Sequence, residues 1–101
     1  MAYTTIAQAL GETLRREMQR DERIFILGED VGLFGGAYRV TQGLFEEFGP
    51  ERVRDTAISE IAIAGMALGA ALTGMRPVAE FQFVDFMACA MDQICNHIAK
   101  F

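Results

Sequence analysis

The hexapeptide Asp55-Thr56-Ala57-Ile58-Ser59-Glu60 brings a carboxylate to the start of a helix made almost wholly of small and apolar residues. Residues 61–72 carry no charge, and Ala62, Ala64, Gly65, Ala67, Gly69, Ala70 and Ala71 let another backbone approach closely. Glu60 therefore reads as an acid at the mouth of a deeply packed element. The helix dipole favours a carboxylate in the first turn and helps keep it ionised where partial burial would raise its pKa. An ionised acid in a dry site is a strong hydrogen-bond acceptor, although a first-turn glutamate is also common without any function.

The other residues with chemical potential are weaker candidates. Gly32, Gly35 and Gly36 invite a phosphate-loop reading, but no GxxxxGK[ST] is present and no GxGxxG opens a helix, so a structural loop is expected. Gly65 and Gly69 form a GxxxG pair, which in a water-surrounded helix means close helix packing. Cys89 and Cys95 have only His97 nearby, which makes neither a CxxC motif nor a zinc set. Two free, buried thiols in a reducing compartment are expected. His97 has no serine or cysteine nucleophile placed to use it and reads as a surface or satisfied histidine. The Met and Phe residues between positions 81 and 91 read as core packing, with Phe86 set apart below.

These residues must be positioned by local elements. Thr4 or Thr5 can cap a first helix in which Ile6, Leu10, Leu14 and Met18 recur every four residues. Ile24-Phe25-Ile26-Leu27, stopped by Gly28, reads as a buried strand of a parallel sheet. Residues 31–38 form a packed glycine-rich loop, and Thr41 can cap a short helix through Leu44, Phe45 and Phe48, closed by Gly49 and Pro50. A short strand around Val53 leads to Glu60 and its helix. Residues 77–83 alternate like a strand, with Pro77 suiting an edge position. Asp85 can cap a last helix carrying Met87, Met91, Ile94 and Ile98. This alternation predicts an α/β fold, a parallel sheet flanked by helices on both faces. The helical pattern runs on to Lys100-Phe101 without a capping glycine or proline, so the domain reads as incomplete.

Composition narrows the function classes. A chain of 101 residues makes one domain at most, and its hydrophobic share of 51% suits a molecule with a substantial partner interface. The net charge of −5 offers no basic stripe for a phosphate backbone, so nucleic acid is not an expected partner. The uncharged run of residues 61–75 is well short of the roughly 20 residues needed to cross a bilayer. No apolar leader precedes Arg15, Arg16 and Arg20, and a cytoplasmic protein is expected.

Five ordered motifs carry a resemblance. They are Gly28-Glu29-Asp30-Val31-Gly32, Gly35-Gly36-Ala37-Tyr38-Arg39, Asp55-Thr56-Ala57-Ile58-Ser59-Glu60, Gly74-Met75-Arg76-Pro77-Val78-Ala79-Glu80 and Met91-Asp92-Gln93-Ile94. Together they resemble the beta subunit of thiamine-diphosphate-dependent 2-oxo acid dehydrogenases of the pyruvate dehydrogenase type, over all 101 residues. The resemblance implies a transketolase-like pyrimidine-binding fold, of which residues 1–101 would be the N-terminal part, with the family's C-terminal domain absent.

It also implies half a cofactor site. Thiamine diphosphate would sit between subunits, its diphosphate and magnesium held by an alpha subunit and its aminopyrimidine by this chain, which holds no metal itself. Glu60 matches the glutamate that accepts a hydrogen bond from the pyrimidine N1′, favouring the imino tautomer that removes the thiazolium C2 proton. Phe86 matches the aromatic residue that stacks on the pyrimidine, and Gln82 and Ile58 match positions of the same pocket. Glu29 and Asp92 suit an acidic, water-containing path between paired sites, against a plain reading as caps or as salt-bridge partners of Arg39 or Arg76. Ala57 stands where the family often has proline, and the family's catalytic histidine has no counterpart here. The implied assembly is a heterotetramer of two alpha and two beta subunits that decarboxylates a 2-oxo acid, by default pyruvate, and passes the acyl group to a lipoyl-bearing acyltransferase. Branched-chain 2-oxo acid and acetoin dehydrogenases use closely similar subunits. A truncated remnant or interaction module without catalysis is the reading from a different class.

Overall fold

The computed structural model describes residues 3–101. Helix α1 (Ile6–Arg20) starts at Thr5, whose hydroxyl accepts from the Gln8 amide at 3.1 Å while the Gln8 side chain accepts from the Thr5 amide at 3.0 Å. This reciprocal pair satisfies two of the amides that a helix start leaves free. Only the second half of the expected apolar face meets the sheet. Met18 is buried and Leu14 packs beside it, whereas Ile6 and Leu10 are 82% and 51% exposed.

Strands β1 (Ile24–Gly28), β2 (Val53–Asp55) and β3 (Arg76–Glu80) form a parallel sheet in the order β2-β1-β3. The register places Ile26 beside both Val53 and Val78. Because side chains alternate across a sheet, these three share the face packed by Met18, Leu44 and Val31. Phe25 and Leu27 point to the other face, where helix α3 (Glu60–Leu72) runs. Helices thus lie on both faces, as the alternation of elements predicts.

Arg52 ties the start of the sheet to α1. Its guanidinium donates to the carbonyls of Met18 at 2.8 Å, Asp21 at 2.9 Å and Ile24 at 2.8 Å, and lies 5.0 Å from the centroid of the Phe48 ring. The planar fork of arginine suits several carbonyls at once, including those a helix end leaves without partners.

Four sequence expectations change. Thr41 does not cap the short helix α2 (Leu44–Phe48): its buried hydroxyl donates to the Val31 carbonyl at 2.8 Å, and Gly43, at φ 84°, takes the cap position. The glycine closure of α2 stands, with the Gly49 amide donating to Phe45 at 2.8 Å. β3 stops at Glu80 instead of reaching residue 83, because its neighbour β1 ends at the paired Gly28 and leaves the following residues without a ladder. Residues 84–98 do not wind as one α-helix. A 3₁₀ segment (Val84–Ala90) and a π segment (Gln93–Ile98) replace it, Asp85 caps neither, and the small Ala88 and Ala90 accept the tighter turn. Finally, α3 is not deeply packed within this chain, since Ile63 and Ala64 are its buried residues while Ile61, Met66 and Leu72 are exposed.

Candidate functional site

All three strands end on one edge of the sheet, and the chain leaves that edge through the residues of interest. In open α/β sheets ligands bind beyond the carboxyl ends of the strands. β1 delivers Glu29, β2 delivers Ile58 and Glu60, and β3 delivers Gln82 and Phe86. The first two exits are fastened together: the Thr56 amide donates to the Gly28 carbonyl at 2.9 Å, and the Gly32 amide donates to the Asp55 carboxylate at 2.7 Å. A Cβ on Gly32 would lie 2.5 Å from Asp55 Oδ2, so glycine is what allows this approach.

Glu60 is the first residue of α3, behind Ser59 at the cap, and the Ser59 hydroxyl makes no capping bond. The side chain is half-buried, and no salt bridge among the described residues engages it. Glu60 thus stands in the first turn, at the positive end of the helix dipole, with no ion pair taking up its acceptor capacity. Beside it a groove of about 810 Å³ separates α3 from the sheet, lined by Thr56, Ala57, Ser59, Ala62, Met66 and Leu27 among others. Glu60 is not part of that lining. Ile58 is 77% exposed and makes no wall of the groove.

Gln82 and Phe86 are both half-buried. The Phe86 amide donates to the Phe83 carbonyl at 3.1 Å, and the two rings meet edge to face, 5.3 Å between centroids and 70° between planes. Phe83 in turn meets Tyr38 of the glycine-rich loop at 5.5 Å and 72°. That loop is sharply folded: Gly35 and Gly36 have φ of 84° and 87°, and the Gly36 amide donates to the Asp30 carbonyl at 2.8 Å. The expected packing holds for Val31 and the glycines, whereas Leu33, Phe34 and Tyr38 are exposed.

The two remaining acids differ in their surroundings. Glu29 is half-buried, whereas Asp92 is exposed, accepts from Asn96 at 2.8 Å and lies 3.9 Å from His97 Nδ1. Among the described residues neither acid pairs with Arg39 or Arg76. Arg39 stacks over Phe34 at 4.4 Å, and Arg76 donates to the Met75 carbonyl at 3.0 Å. Cys89 and Cys95 are free but exposed, contrary to expectation, because Ala90 takes the inward position on that stretch.

One acid was missed by residue type and spacing. Glu80 closes β3 opposite Gly28, its Oε2 is buried without a hydrogen-bond partner, and burial raises its pKa. The strand alternation that puts Val78 on the core face puts Glu80 there too, which was the available signal.

Among the described residues no group of three or more His, Cys, Asp or Glu could hold a metal ion, and no helix is long and apolar enough to cross a membrane. The family model described as the transketolase pyrimidine-binding domain matches residues 2–100. The 2-oxoisovalerate dehydrogenase subunit beta of Bacillus subtilis (strain 168) is 50% identical over 99% of this chain and 31% of its own length. The pyruvate dehydrogenase E1 component subunit beta of Rickettsia bellii is 50% identical over 95% of this chain and 30% of its own. The mitochondrial pyruvate dehydrogenase E1 component subunit beta of Bos taurus is 44% identical over 95% and 27%. The chain thus spans about three-tenths of the length of the curated relatives it matches.

Proposed function

The chain belongs to the family of the transketolase pyrimidine-binding domain, and from that premise we propose that it forms the N-terminal part of that domain in a 2-oxo acid dehydrogenase beta subunit. The observation that carries the reading is Glu60, an acid without a salt bridge at the first turn of α3, on the edge where all three parallel strands end.

The residues present suit the aminopyrimidine of thiamine diphosphate. A flat ring with nitrogens at its rim needs a carboxylate at one nitrogen and an aromatic face beside it, and Glu60 and Phe86 supply those two types. When bound, the cofactor supplies the electron sink for decarboxylation of a 2-oxo acid. Glu60 would accept the hydrogen bond from the ring nitrogen N1′, a role its carboxylate is free to take because no salt bridge among the described residues engages it. Phe86 offers a face for stacking, and Gln82 follows the same strand end. Ile58, exposed in this chain, contributes to the pocket where a neighbouring subunit covers it. A net charge of −5 is a poor host for a diphosphate, which supports assigning the diphosphate and its magnesium to an alpha subunit. The assembly is then an α/β heterotetramer that serves a lipoyl-bearing acyltransferase in the cytoplasm. Glu29 and Asp92 remain the proposed acidic path, although Asp92 is engaged by its own helical neighbours.

Pyruvate is the proposed substrate, supported by the names of the Rickettsia and Bos relatives; the Bacillus relative, equal in identity to the former, favours 2-oxoisovalerate as the second reading. Turnover of the assembled enzyme with pyruvate, 2-oxoisovalerate and acetoin, followed with an artificial electron acceptor, tests both. A higher kcat/KM for pyruvate than for 2-oxoisovalerate supports the first, and the reverse order supports the second. No turnover of any substrate by an intact assembly contradicts the enzymatic reading and favours an interaction role.

A further inference from the structure

We propose that Tyr38, acting through Phe83, is a positioning residue for the Phe86 ring, so that the glycine-rich loop sets the aromatic wall of the pyrimidine pocket. The inference rests on the stacking role given to Phe86 above and adds to it the residues that hold the ring.

Phe86 needs such support because of where the sheet ends. β3 stops at Glu80, so residues 81–83 receive no ladder bonds, and the segment that follows winds as a 3₁₀ turn rather than a long α-helix. A ring carried on such a turn is oriented by what its side chain touches. Phe86 touches Phe83 edge to face at 5.3 Å, and Phe83 touches Tyr38 edge to face at 5.5 Å. These are favoured geometries for aromatic pairs, which exceed simple area burial in strength.

The far end of this ladder is well fixed. Thr41 donates its buried hydroxyl to the Val31 carbonyl at 2.8 Å, the Thr41 amide donates to Gly35 at 3.2 Å, and the Arg39 amide donates to Gly36 at 3.1 Å. Earlier in the same loop, Gly32 is held by Asp55, five residues before Glu60. One loop therefore braces both the segment that carries the acid and the segment that carries the stacking ring. Tyr38 is 61% exposed and contributes little to the core, so its effect on the pocket would run through the ring contact with Phe83 and not through burial.

The test is a double-mutant cycle on thiamine diphosphate affinity, measured by titration calorimetry on the assembled α/β enzyme. Tyr38→Leu is expected to weaken binding roughly three- to tenfold, the range of one lost aromatic pair. Tyr38→Phe keeps the ring and is expected to bind as wild type. Phe83→Leu, which removes the middle ring, is expected to match or exceed the Tyr38→Leu loss. In a Phe86→Leu background Tyr38→Leu is expected to cost nothing further, because a residue acting through another loses its effect when that residue is gone. A purely structural Tyr38 would give the same loss in both backgrounds, and that additivity would overturn the inference. Wild-type affinity in Tyr38→Leu, with Phe86→Leu weakened, overturns the inference alone. Wild-type affinity in Phe86→Leu removes the stacking assignment, and the inference with it.

Discussion

Glu80 lies at the end of β3 with Oε2 removed from water and no donor beside it, and burial raises its pKa. The folded protein then holds this proton to higher pH than the unfolded chain does. Its contribution to stability is fully present below the ordinary glutamate range and is lost as pH rises through the raised folded value. Asp21 has the opposite sign. Hydrogen bonds from the Arg23 side chain and amide lower it to about 2, so its contribution is present above the ordinary aspartate range and fades as pH falls toward that value. Glu80→Gln is expected to raise the melting temperature at neutral pH and to flatten its decline above the ordinary glutamate range. Melting curves from about pH 4 to about pH 8 check this, and parallel profiles for mutant and wild type would contradict it. Glu60 was legible in the sequence because an acid opening an uncharged helix is a local pattern. Glu80 was not, because its cost arises from the fold around it: the loop passes over its carboxylate so closely that a Cβ on Gly36 would lie 3.5 and 3.6 Å from the two carboxylate oxygens.

At the scale of elements, α1 and β1 were readable from capping residues and hydrophobic spacing, and both appear where those signals place them. The end of β3 was not readable. The alternation of residues 77–83 continues past Glu80, and what stops the strand is the end of its neighbour, information that a single segment does not contain. The change of winding after Phe83 escapes for a similar reason, since helical spacing of Met87, Met91, Ile94 and Ile98 does not separate 3₁₀, α and π turns over so few residues. Arg52 shows an inter-element tie that was equally hidden. Arg52→Met would leave the carbonyls of Met18, Asp21 and Ile24 without their shared donor, at an expected cost of about 2 to 3 kcal/mol. Arg52→Lys is expected to recover only part of that, because a point ammonium cannot match the planar fork. Urea unfolding of the two variants checks both, and a lysine variant as stable as wild type would contradict the geometric reading.

Over the whole molecule, one face of the sheet is closed by α1 and α2, while the other is only partly covered by α3. Ile58, Ile61, Met66 and Leu72 are exposed, and the groove between α3 and the sheet is open. Exposed apolar residues gathered on one helix and beside an open groove mark an interaction face or an aggregation hazard. The 101-residue chain by itself is expected to self-associate and to bind the dye ANS, which light scattering and fluorescence check; a monomer of 11.2 kDa with a cooperative melt would contradict it.

The proposed division of the site between subunits has a direct test in proton exchange at C2 of bound thiamine diphosphate, followed by quenched-flow NMR. Exchange is expected to be fast in the assembled α/β enzyme and slower by orders of magnitude when Glu60→Gln is assembled in the same way. Unchanged exchange in an intact Glu60→Gln assembly would contradict the role of Glu60 and with it the reading of this chain as the pyrimidine half of the site.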